Sequence, residues 1–350
     1  MTDAPTTSTS TSATAPTTGQ RVRRVLFWLV VVALAVPAVP FTLNRLVDAE
    51  AGPAVRMMAF TPLATPWYVA DVLLVGTALV LGRAGSRRVV GAVLALLGLG
   101  LGLHVWWLAP QFVGGSPDPA EGAAELVVMT TNFYEGEADA AAVVRAAEDH
   151  GVGLLVVNEI TFGTLHQLED AGIDELLPHR IGEPNGAVDG TMVFSREPIT
   201  EPVRLDTTFQ SWQLTVGEGE GAVTVLAVHP VAPVPPAGAP AWRADHETLL
   251  AAARDSGAQL VLGDMNATAD HAVMRAWRDA GYRDSLELVN AGWSRTWPSN
   301  GITPVPGFHP PALIQIDHVL VDDTLAVTDS STVDVPGSDH RAVVATVARR

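Results

Sequence analysis

Three long apolar stretches dominate the first third of the chain, at Val25–Leu43, Pro62–Gly82 and Val89–Ala109. Each is close to the roughly 20 residues that an α-helix needs to cross the hydrocarbon core of a bilayer. Buried helices of a soluble core are a weaker interpretation, because these stretches contain almost no charged side chains. The pattern therefore predicts a region of three transmembrane helices within residues 21–110.

Shorter apolar runs follow, each of strand length and bounded by Gly, Pro, Asn or Asp. The predicted strands are Glu125–Thr131, Gly153–Asn158, Thr191–Ser195, Ala222–His229, Ala258–Gly263, Gln315–Val321 and Ala342–Val347. Helical patterns lie between some of them, at Glu137–His150, Thr161–Ala171, Ala241–Ser256 and His271–Ala280. Other connections are too short for a helix, so we expect a mixed sheet in one α/β domain over residues 125–350.

Two segments lack the side chains that build a core. Residues 1–20 are mostly Thr, Ser, Ala and Pro, which predicts a disordered cytoplasmic tail. Residues 111–124 are rich in Gly, Pro and Ala, which predicts a linker between the membrane region and the domain.

Charge is divided unevenly along the chain. Residues 1–110 carry a net charge of +4, whereas residues 111–350 carry −21, and every basic residue is Arg. A strongly acidic domain counts against a surface that grips a nucleic-acid backbone. The chain has no Cys, which excludes disulfides, thiol catalysis and Cys-based zinc sites.

The Arg distribution predicts the orientation in the membrane. Arg21, Arg23 and Arg24 precede the first apolar stretch, and Arg83, Arg87 and Arg88 lie between the second and the third. The positive-inside rule places both groups in the cytoplasm, and three crossings then put the domain outside. If the first stretch is instead a cleaved signal peptide, the remaining two crossings still leave the domain outside.

Polar residues cluster where the predicted strands of the domain begin or end. They are Thr131-Asn132, Asn158-Glu159, His229, Gly263-Asp264-Met265-Asn266, Asp317-His318 and Ser338-Asp339-His340. Each alone has an ordinary explanation, such as an acid at a helix N-terminus or a turn. Six such groups in one α/β domain favour a ligand site at one end of its sheet.

Carboxylate, amide and imidazole groups without Cys suit a hard cation such as Mg²⁺ or Mn²⁺. Such a cation stabilises charge that develops on phosphoryl oxygens. The sequence has no Gly-rich phosphate loop followed by Lys, no Gly-x-Ser-x-Gly elbow and no His-Glu-x-x-His zinc motif. P-loop NTPases, α/β-hydrolases and zincins are therefore disfavoured.

This series of motifs resembles that of the endonuclease/exonuclease/phosphatase superfamily, which has the deoxyribonuclease I-like fold. The resemblance spans about Glu125 to Arg350 and implies a four-layer α/β/β/α sandwich and a phosphohydrolase dependent on a divalent metal. The membrane region followed by this domain also resembles a bacterial subgroup associated with glycopeptide (vancomycin or teicoplanin) resistance. Tyr134 and His229-Pro230 depart from the pattern of the abasic-site endonucleases.

The resemblance also implies a role for each matched residue. Glu159 matches the principal metal ligand, Asn132 lies beside it as a ligand or orienting residue, and Asp339 lies near the metal. Asp264 matches the residue that orients or deprotonates the attacking water, while Asn266 and His229 match contacts to non-bridging phosphoryl oxygens. His340 matches the catalytic histidine and Asp317 the carboxylate that fixes its tautomer. His318 is expected to be structural.

We therefore predict a membrane-anchored, extracytoplasmic phosphohydrolase that uses Mg²⁺ or Mn²⁺. The short linker favours a phosphoester or pyrophosphate carried by a membrane lipid, such as a lipid-linked envelope precursor. One alternative is an extracytoplasmic nuclease with the same site, which the acidic domain makes less favourable. Another is a non-catalytic resistance or binding module. The substrate depends on the loops at 161–190 and 231–240, and the oligomeric state stays open.

Overall fold

The structure is a computed structural model that describes residues 17–82, 85–299 and 311–350. Residues 1–16, most of the predicted tail, lie outside the described residues, and so does Arg83. The first helix begins at Thr18, so the last residues of the predicted tail are helical. The chain divides into two units, residues 1–40 with 63–102 and residues 41–62 with 103–350, which are described separately.

Both units contain α-helices, and the long apolar ones lie mainly in the first unit. The helices of the described chain are α1 (Thr18–Val47), α2 (Gly52–Met58), α3 (Thr65–Leu81), α4 (Arg87–Leu108), α5 (Ala140–Asp149), α6 (Phe162–Asp170), α7 (Ile173–Leu176), α8 (Gly238–Ser256), α9 (Ala272–Asp279) and α10 (Ser285–Leu288). Three helical stretches are long and apolar enough to span a membrane, at Thr18–Val47, Thr61–Leu81 and Arg87–Gln111. This confirms the three predicted apolar helices. Gly100 of α4 lets the Tyr68 ring of α3 approach, since a Cβ there would lie 2.5 Å from the ring.

The second unit contains the α/β domain. Its strands are β1 (Glu125–Asn132), β2 (Leu154–Asn158), β3 (His179–Glu183), β4 (Thr191–Ser195), β5 (Ile199–Arg204), β6 (Trp212–Val216), β7 (Val223–Val228), β8 (Leu260–Asp264), β9 (Arg283–Asp284), β10 (Asp317–Val321), β11 (Leu325–Asp334) and β12 (Arg341–Arg349). In the described residues they form two six-stranded sheets, in the orders β11-β12-β1-β2-β4-β3 and β5-β6-β7-β8-β10-β9. Each sheet is mixed, because β1–β2 and β7–β8 pair in parallel and the other neighbours pair antiparallel.

The sheets and helices form four layers, as the resemblance implied. Side chains such as Val156 of β2 and Leu262 of β8 meet between the two sheets. The outer face of the first sheet packs on α5 and α6 through residues such as Leu155. The outer face of the second packs on α8 and α9, where Trp242 and Trp277 are buried. Successive side chains of a strand point to opposite faces of the sheet. Because both faces of these sheets are covered, the central strands are apolar at nearly every position.

The seven predicted strands and four predicted helices of the domain are present, with bounds shifted by a few residues. The prediction missed β3, β5, β6, β9 and β11 and the one-turn helices α7 and α10. Four of the missed strands, β11, β3, β5 and β9, are the edges of the two sheets. The outer strand β5 is largely exposed, so its sequence shows only a weak apolar pattern.

The topology brings the polar motifs to one end of the two sheets. Strands β1, β2 and β8 end at Asn132, Asn158 and Asp264, and β10 begins at Asp317, which pairs with Asp264. Gly263 lets β8 lie against β7, since a Cβ there would stand 1.9 Å from the Val228 carbonyl oxygen. The strand ends therefore meet closely enough for their side chains to form one site.

Candidate active site

Two carboxylates are held together by one amide. The side-chain nitrogen of Asn132 donates to Glu159 Oε1 and to Asp264 Oδ2, both at 3.0 Å. The other oxygen of Glu159 accepts the Glu135 N–H at 2.7 Å. The side-chain oxygen of Asn132 accepts the Tyr134 N–H at 2.8 Å, which fixes the direction of the amide. Asn132 thus acts here as the residue that orients both carboxylates.

His340 lies beside the same two carboxylates, with its Nε2 3.8 Å from Asp264 Oδ2. Its Nδ1 lies 2.9 and 3.1 Å from the two carboxylate oxygens of Asp317, which is fully buried. Burial lowers the pKa of His340, but Asp317 and Asp264 outweigh that effect and raise the pKa to about 10. Since Nδ1 donates to Asp317, Nε2 is the nitrogen that faces the centre.

Asp264 is the central residue of the site. Its Oδ2 lies 3.8 Å from His340 Nε2 and 3.9 Å from His229 Nε2. Its Oδ1 accepts the backbone N–H of Asn266 at 2.8 Å. Burial raises the pKa of Asp264, and the nearby carboxylates of Asp317 and Glu159 raise it further. Because the fold holds these acids together, the site has an excess of buried carboxylates.

The His229 ring is buried, and neither of its nitrogens has a hydrogen-bond partner within the described residues. Its backbone N–H donates to Ser211 Oγ at 3.0 Å, and its ring packs on Phe209 with centroids 4.9 Å apart. Burial, assisted by the charge of His340, lowers the pKa of His229 to about 3. A buried ring whose two nitrogens have no partner among the described residues, with Nε2 3.9 Å from Asp264, is suited to contact a ligand.

Asp339 completes the acidic group. The indole nitrogen of Trp297 donates to Asp339 Oδ2 at 2.8 Å. Asp339 Oδ1 lies 3.6 Å from His340 Nε2 and, in the part of the chain that the structure describes, is buried without a hydrogen-bond partner. Burial raises the pKa of Asp339. Sequence reasoning missed Trp297, because nothing local links it to a residue 42 positions further on.

Other residues support the site without facing its centre. Asn158, which the motif included without a role, accepts the Asp264 N–H at 2.9 Å and donates to the Val228 carbonyl, so it joins the two sheets. Ser338 Oγ donates to the Asn132 carbonyl at 2.7 Å and accepts the His340 N–H at 2.9 Å. His318 bonds to Asp284 and to the Ala267 carbonyl instead, in agreement with a structural role.

The structure therefore brings the eight predicted site residues to one place. They are Asn132, Glu159, His229, Asp264, Asn266, Asp317, Asp339 and His340. Glu159 and Asn266 also have positive φ angles of 56° and 47°. This backbone conformation is unfavourable for Glu and is common at ligand sites, whereas Asn adopts it more readily. The individual roles of these residues stay predictions.

The donor set fits a hard divalent cation. Ligand atoms of Glu159, His229 and Asp264 all lie within 4.8 Å of one another, and so do those of Asp264, Asp317 and His340. A cation would neutralise the excess of buried carboxylates and satisfy atoms such as Asp339 Oδ1, which has no partner among the described residues. Asp339 does not belong to either group, so its predicted place near the metal is a looser fit.

The fold and this arrangement of acids and histidines define a deoxyribonuclease I-like α/β sandwich with a candidate metal-dependent site. The model of the Endonuclease/Exonuclease/phosphatase family matches residues 129–340, more than half of the chain. The chain therefore belongs to this family. Its members are phosphodiesterases, phosphatases and nucleases, typically dependent on divalent metals, which indicates hydrolase activity for the domain.

Several solved structures are similar to the domain, and one of them exceeds a TM-score of 0.5. D. rerio TDP2, complexed with a single-strand DNA product, is 13% identical, covers 64% of this chain and 99% of its own, and has a TM-score of 0.52. A family protein from Bacteroides thetaiotaomicron is 16% identical over 65% of this chain and 99% of its own, with a TM-score of 0.45. A family protein from Beutenbergia cavernae is 20% identical, covers 64% of this chain and 72% of its own, and also has a TM-score of 0.45. No curated protein matches the chain.

Proposed function

We propose that this protein is a membrane-anchored phosphohydrolase that depends on Mg²⁺ or Mn²⁺ and acts outside the cytoplasm on a lipid-borne phosphoester or pyrophosphate. The observation that carries the proposal is the arrangement around Asp264. Ligand atoms of Glu159 and His229 lie within 4.8 Å of Asp264, and so do those of the buried Asp317–His340 pair. Hydrolysis of a phosphoester needs both a cation site and a positioned acid–base group.

Glu159 would hold the cation, with Asp339 beside it, while Asp264 serves the attacking water. When bound, the cation withdraws charge from the phosphoryl oxygens. Asn132 keeps both carboxylates in place through its two hydrogen bonds of 3.0 Å. The assignment of Glu159 as the principal ligand rests on the family motif and on this geometry.

The chain's own residues account for the proton and for the charge on phosphorus. Asp264, with its raised pKa, accepts a proton from the attacking water as the new P–O bond forms. His340 donates from Nε2 to a non-bridging oxygen, because Asp317 keeps its ring protonated. His229 and Asn266 hold the other phosphoryl oxygens. The ester P–O bond breaks, and the leaving oxygen takes its proton from solvent.

Two observations support an extracytoplasmic domain. Arg21, Arg23 and Arg24 lie in the first turns of the first apolar helix, and the segment between the second and third is also Arg-rich, which favours the cytoplasm for both. The end of α1 and the loop that follows it contact the domain, for example through the ion pair of Arg45 with Asp270 at 2.8 Å. That loop and the domain are therefore expected on the same side of the membrane.

The tether supports a lipid-borne substrate. Residues 110–124 can span no more than about 50 Å when fully extended. In the structure this segment is bound to the domain, since the Ala120 N–H donates to the Arg349 carbonyl at 2.8 Å. A phosphate carried by a lipid would therefore be present at a high effective concentration. The resemblance to the glycopeptide-resistance subgroup is in keeping with an envelope precursor as the substrate.

A nuclease with the same site is the second candidate. The similarity to D. rerio TDP2, which was solved with a single-strand DNA product, favours it. The charge of −21 over residues 111–350 disfavours it, because an acidic surface repels a polyanion. A single phosphate neutralised by a cation is compatible with that charge.

The test uses the full-length protein in lipid nanodiscs with bis(p-nitrophenyl) phosphate, a generic phosphodiester. Chelation should abolish hydrolysis and Mg²⁺ should restore it, while Glu159→Ala should lower kcat by at least about a hundredfold. Glu169→Ala, which removes a carboxylate paired with Arg180 on the surface, is the matched control and should be unchanged. If the wild type is inactive on phosphoesters with every divalent metal tried, the non-catalytic module replaces this proposal.

A further inference from the structure

We propose that the interhelical loop, defined as residues 41–62 and including the last turns of α1 and all of α2, is a working part of the catalytic domain that positions Asn266 beside Asp264. Residues 41–62 belong to the same compact unit as the domain, although about 60 residues separate them from β1. The catalytic consequence rests on the function proposed above, whereas the structural coupling does not.

The first contact is a nearly buried ion pair. Arg45 Nε lies 2.8 Å from Asp270 Oδ1, and Arg45 also donates to the Asp270 carbonyl at 2.8 Å. Both side chains are only 10% exposed. Arg275 donates to the same carbonyl and pairs with Asp48 of the loop. Removing one member of such a pair leaves a buried charge without its partner, so the loop and the segment around Asp270 are strongly coupled.

The second contact passes through a histidine. His271 Nε2 donates to the Val55 carbonyl of the loop at 2.9 Å, and its Nδ1 accepts the Thr268 N–H at 2.9 Å. One nitrogen donates and the other accepts, so the ring is neutral with a fixed tautomer. Burial lowers the pKa of His271 to about 4, in keeping with this state. Val55 itself is 4% exposed and packs in the core between β7–β8 and helices α8 and α9.

From His271 the contacts continue to the candidate active site. The ring of His271 packs edge-on against Trp242, with centroids 5.1 Å apart. The indole nitrogen of Trp242 donates to the Asn266 carbonyl at 3.0 Å. The Asn266 N–H in turn donates to Asp264 Oδ1 at 2.8 Å, with Asn266 at a φ of 47°. Asn adopts this left-handed conformation readily, and the hydrogen bond from Trp242 fixes the direction of its carbonyl.

A second route ends at the same residue. Arg56 of the loop donates to the Pro233 carbonyl at 3.1 Å. Three residues earlier, the Pro230 carbonyl accepts from the side-chain nitrogen of Asn266 at 3.1 Å. The loop therefore supports both the backbone and the side chain of Asn266. A chain cut at residue 110 would lose both supports.

The experiment compares Arg45→Met and His271→Phe with the wild type, full-length in nanodiscs. Val143→Ala is the control, because it removes buried side-chain volume from the opposite helical layer. We expect amide exchange of residues 264–271 to rise at least about tenfold in both variants, and to be unchanged in the control. Arg45→Lys keeps the charge opposite Asp270 and should restore most of the protection.

The kinetic readout separates positioning from stability. At a temperature well below every melting point, Arg45→Met and His271→Phe should lower kcat on bis(p-nitrophenyl) phosphate about tenfold or more, with KM changed less than about threefold. Asn266 is proposed to contact a phosphoryl oxygen, and such contacts are strongest in the transition state. Misplacing Asn266 should therefore lower kcat more than it changes KM. Val143→Ala should keep the wild-type kcat despite a similar loss of melting temperature.

The outcomes separate the two proposals. Unchanged exchange at residues 264–271 in both variants would overturn the coupling, whatever the activity. Increased exchange with a kcat equal to that of the control would overturn the positioning role and leave a structural one. If the wild type does not hydrolyse the probe, the proposed function fails, and the exchange data alone decide whether the loop holds the segment that carries Asn266.

Discussion

Replacement of Asp317 by Asn tests the most specific feature of the site, the buried carboxylate behind His340. Asp317 is fully buried, and its two oxygens lie 2.9 and 3.1 Å from His340 Nδ1. Asp317→Asn keeps the size of the side chain and removes its charge. A hydrogen bond to a charged group contributes about 1.5–3 kcal/mol, which corresponds to a roughly 10- to 150-fold loss of kcat if the bond supports the transition state.

The pH dependence should change with the rate. In the wild type Asp317 and Asp264 hold the pKa of His340 well above its usual value, so the ring stays protonated across the neutral range and Nε2 can donate. Loss of the Asp317 charge lowers that pKa. In Asp317→Asn, His340 therefore loses its proton at a lower pH than in the wild type. The alkaline limb of the pH–rate profile should shift toward neutral pH.

The assay is the kcat and KM of full-length protein in nanodiscs with bis(p-nitrophenyl) phosphate and Mg²⁺ between pH 6 and 10. Asp322→Asn is the control, because Asp322 lies after the other end of β10 and caps a turn by accepting the Thr324 N–H and hydroxyl. We expect the kcat of Asp317→Asn to fall 10- to 150-fold and KM to change little. A wild-type kcat with an unshifted alkaline limb would refute the assignment of His340 as the protonated donor.

Three further predictions follow from particular contacts. Trp297→Phe removes the hydrogen bond to Asp339 and should raise the Mg²⁺ concentration needed for half-maximal rate about 10- to 100-fold, as loss of a ligand-orienting partner usually does. The topology can be tested with single Cys variants, because the chain has no Cys of its own. In intact cells, Glu121→Cys should react with a membrane-impermeant maleimide, whereas Ser12→Cys should react only after lysis. The reverse pattern of labelling would invert the topology. Burial lowers the pKa of His246 to about 3, so the unfolded state binds a proton below about pH 6.5 that the folded state does not. The melting temperature should therefore fall as pH drops from about 6.5 toward 4, and less steeply in His246→Gln.

The sequence predicted the centre of the domain better than its edges, for a physical reason. Strands such as β2 and β8 are buried on both faces, so their residues are almost all apolar and bounded by polar motifs. The edge strand β5 is exposed along most of its length and carries Glu201, and β11 has exposed positions such as Asp329. A half-exposed edge needs no continuous apolar run, and therefore leaves little trace in the sequence.

The site shows the same division. Asn132, Glu159 and Asp264 could be found because each follows or ends an apolar strand, and parallel neighbours bring such ends together. Trp297 lies 42 residues before Asp339, and Arg45 lies 225 residues before Asp270, so only the fold reveals these contacts. The role of the interhelical loop was invisible for a further reason. Residues 41–62 read as a short connection between membrane helices, with no pattern that links them to the domain.

The most direct test of the central claim is the choice of substrate by the full-length protein. Initial rates with Mg²⁺ should be compared for a polyprenyl pyrophosphate in the same nanodisc, a short-chain soluble analogue and double-stranded DNA. The account predicts fast turnover of the lipid-borne substrate, slower turnover of the analogue because the tether no longer concentrates it, and little cleavage of DNA. Glu159→Ala should abolish all three. Efficient cleavage of DNA without turnover of the lipid-borne phosphate would contradict the account and identify the site as that of a nuclease.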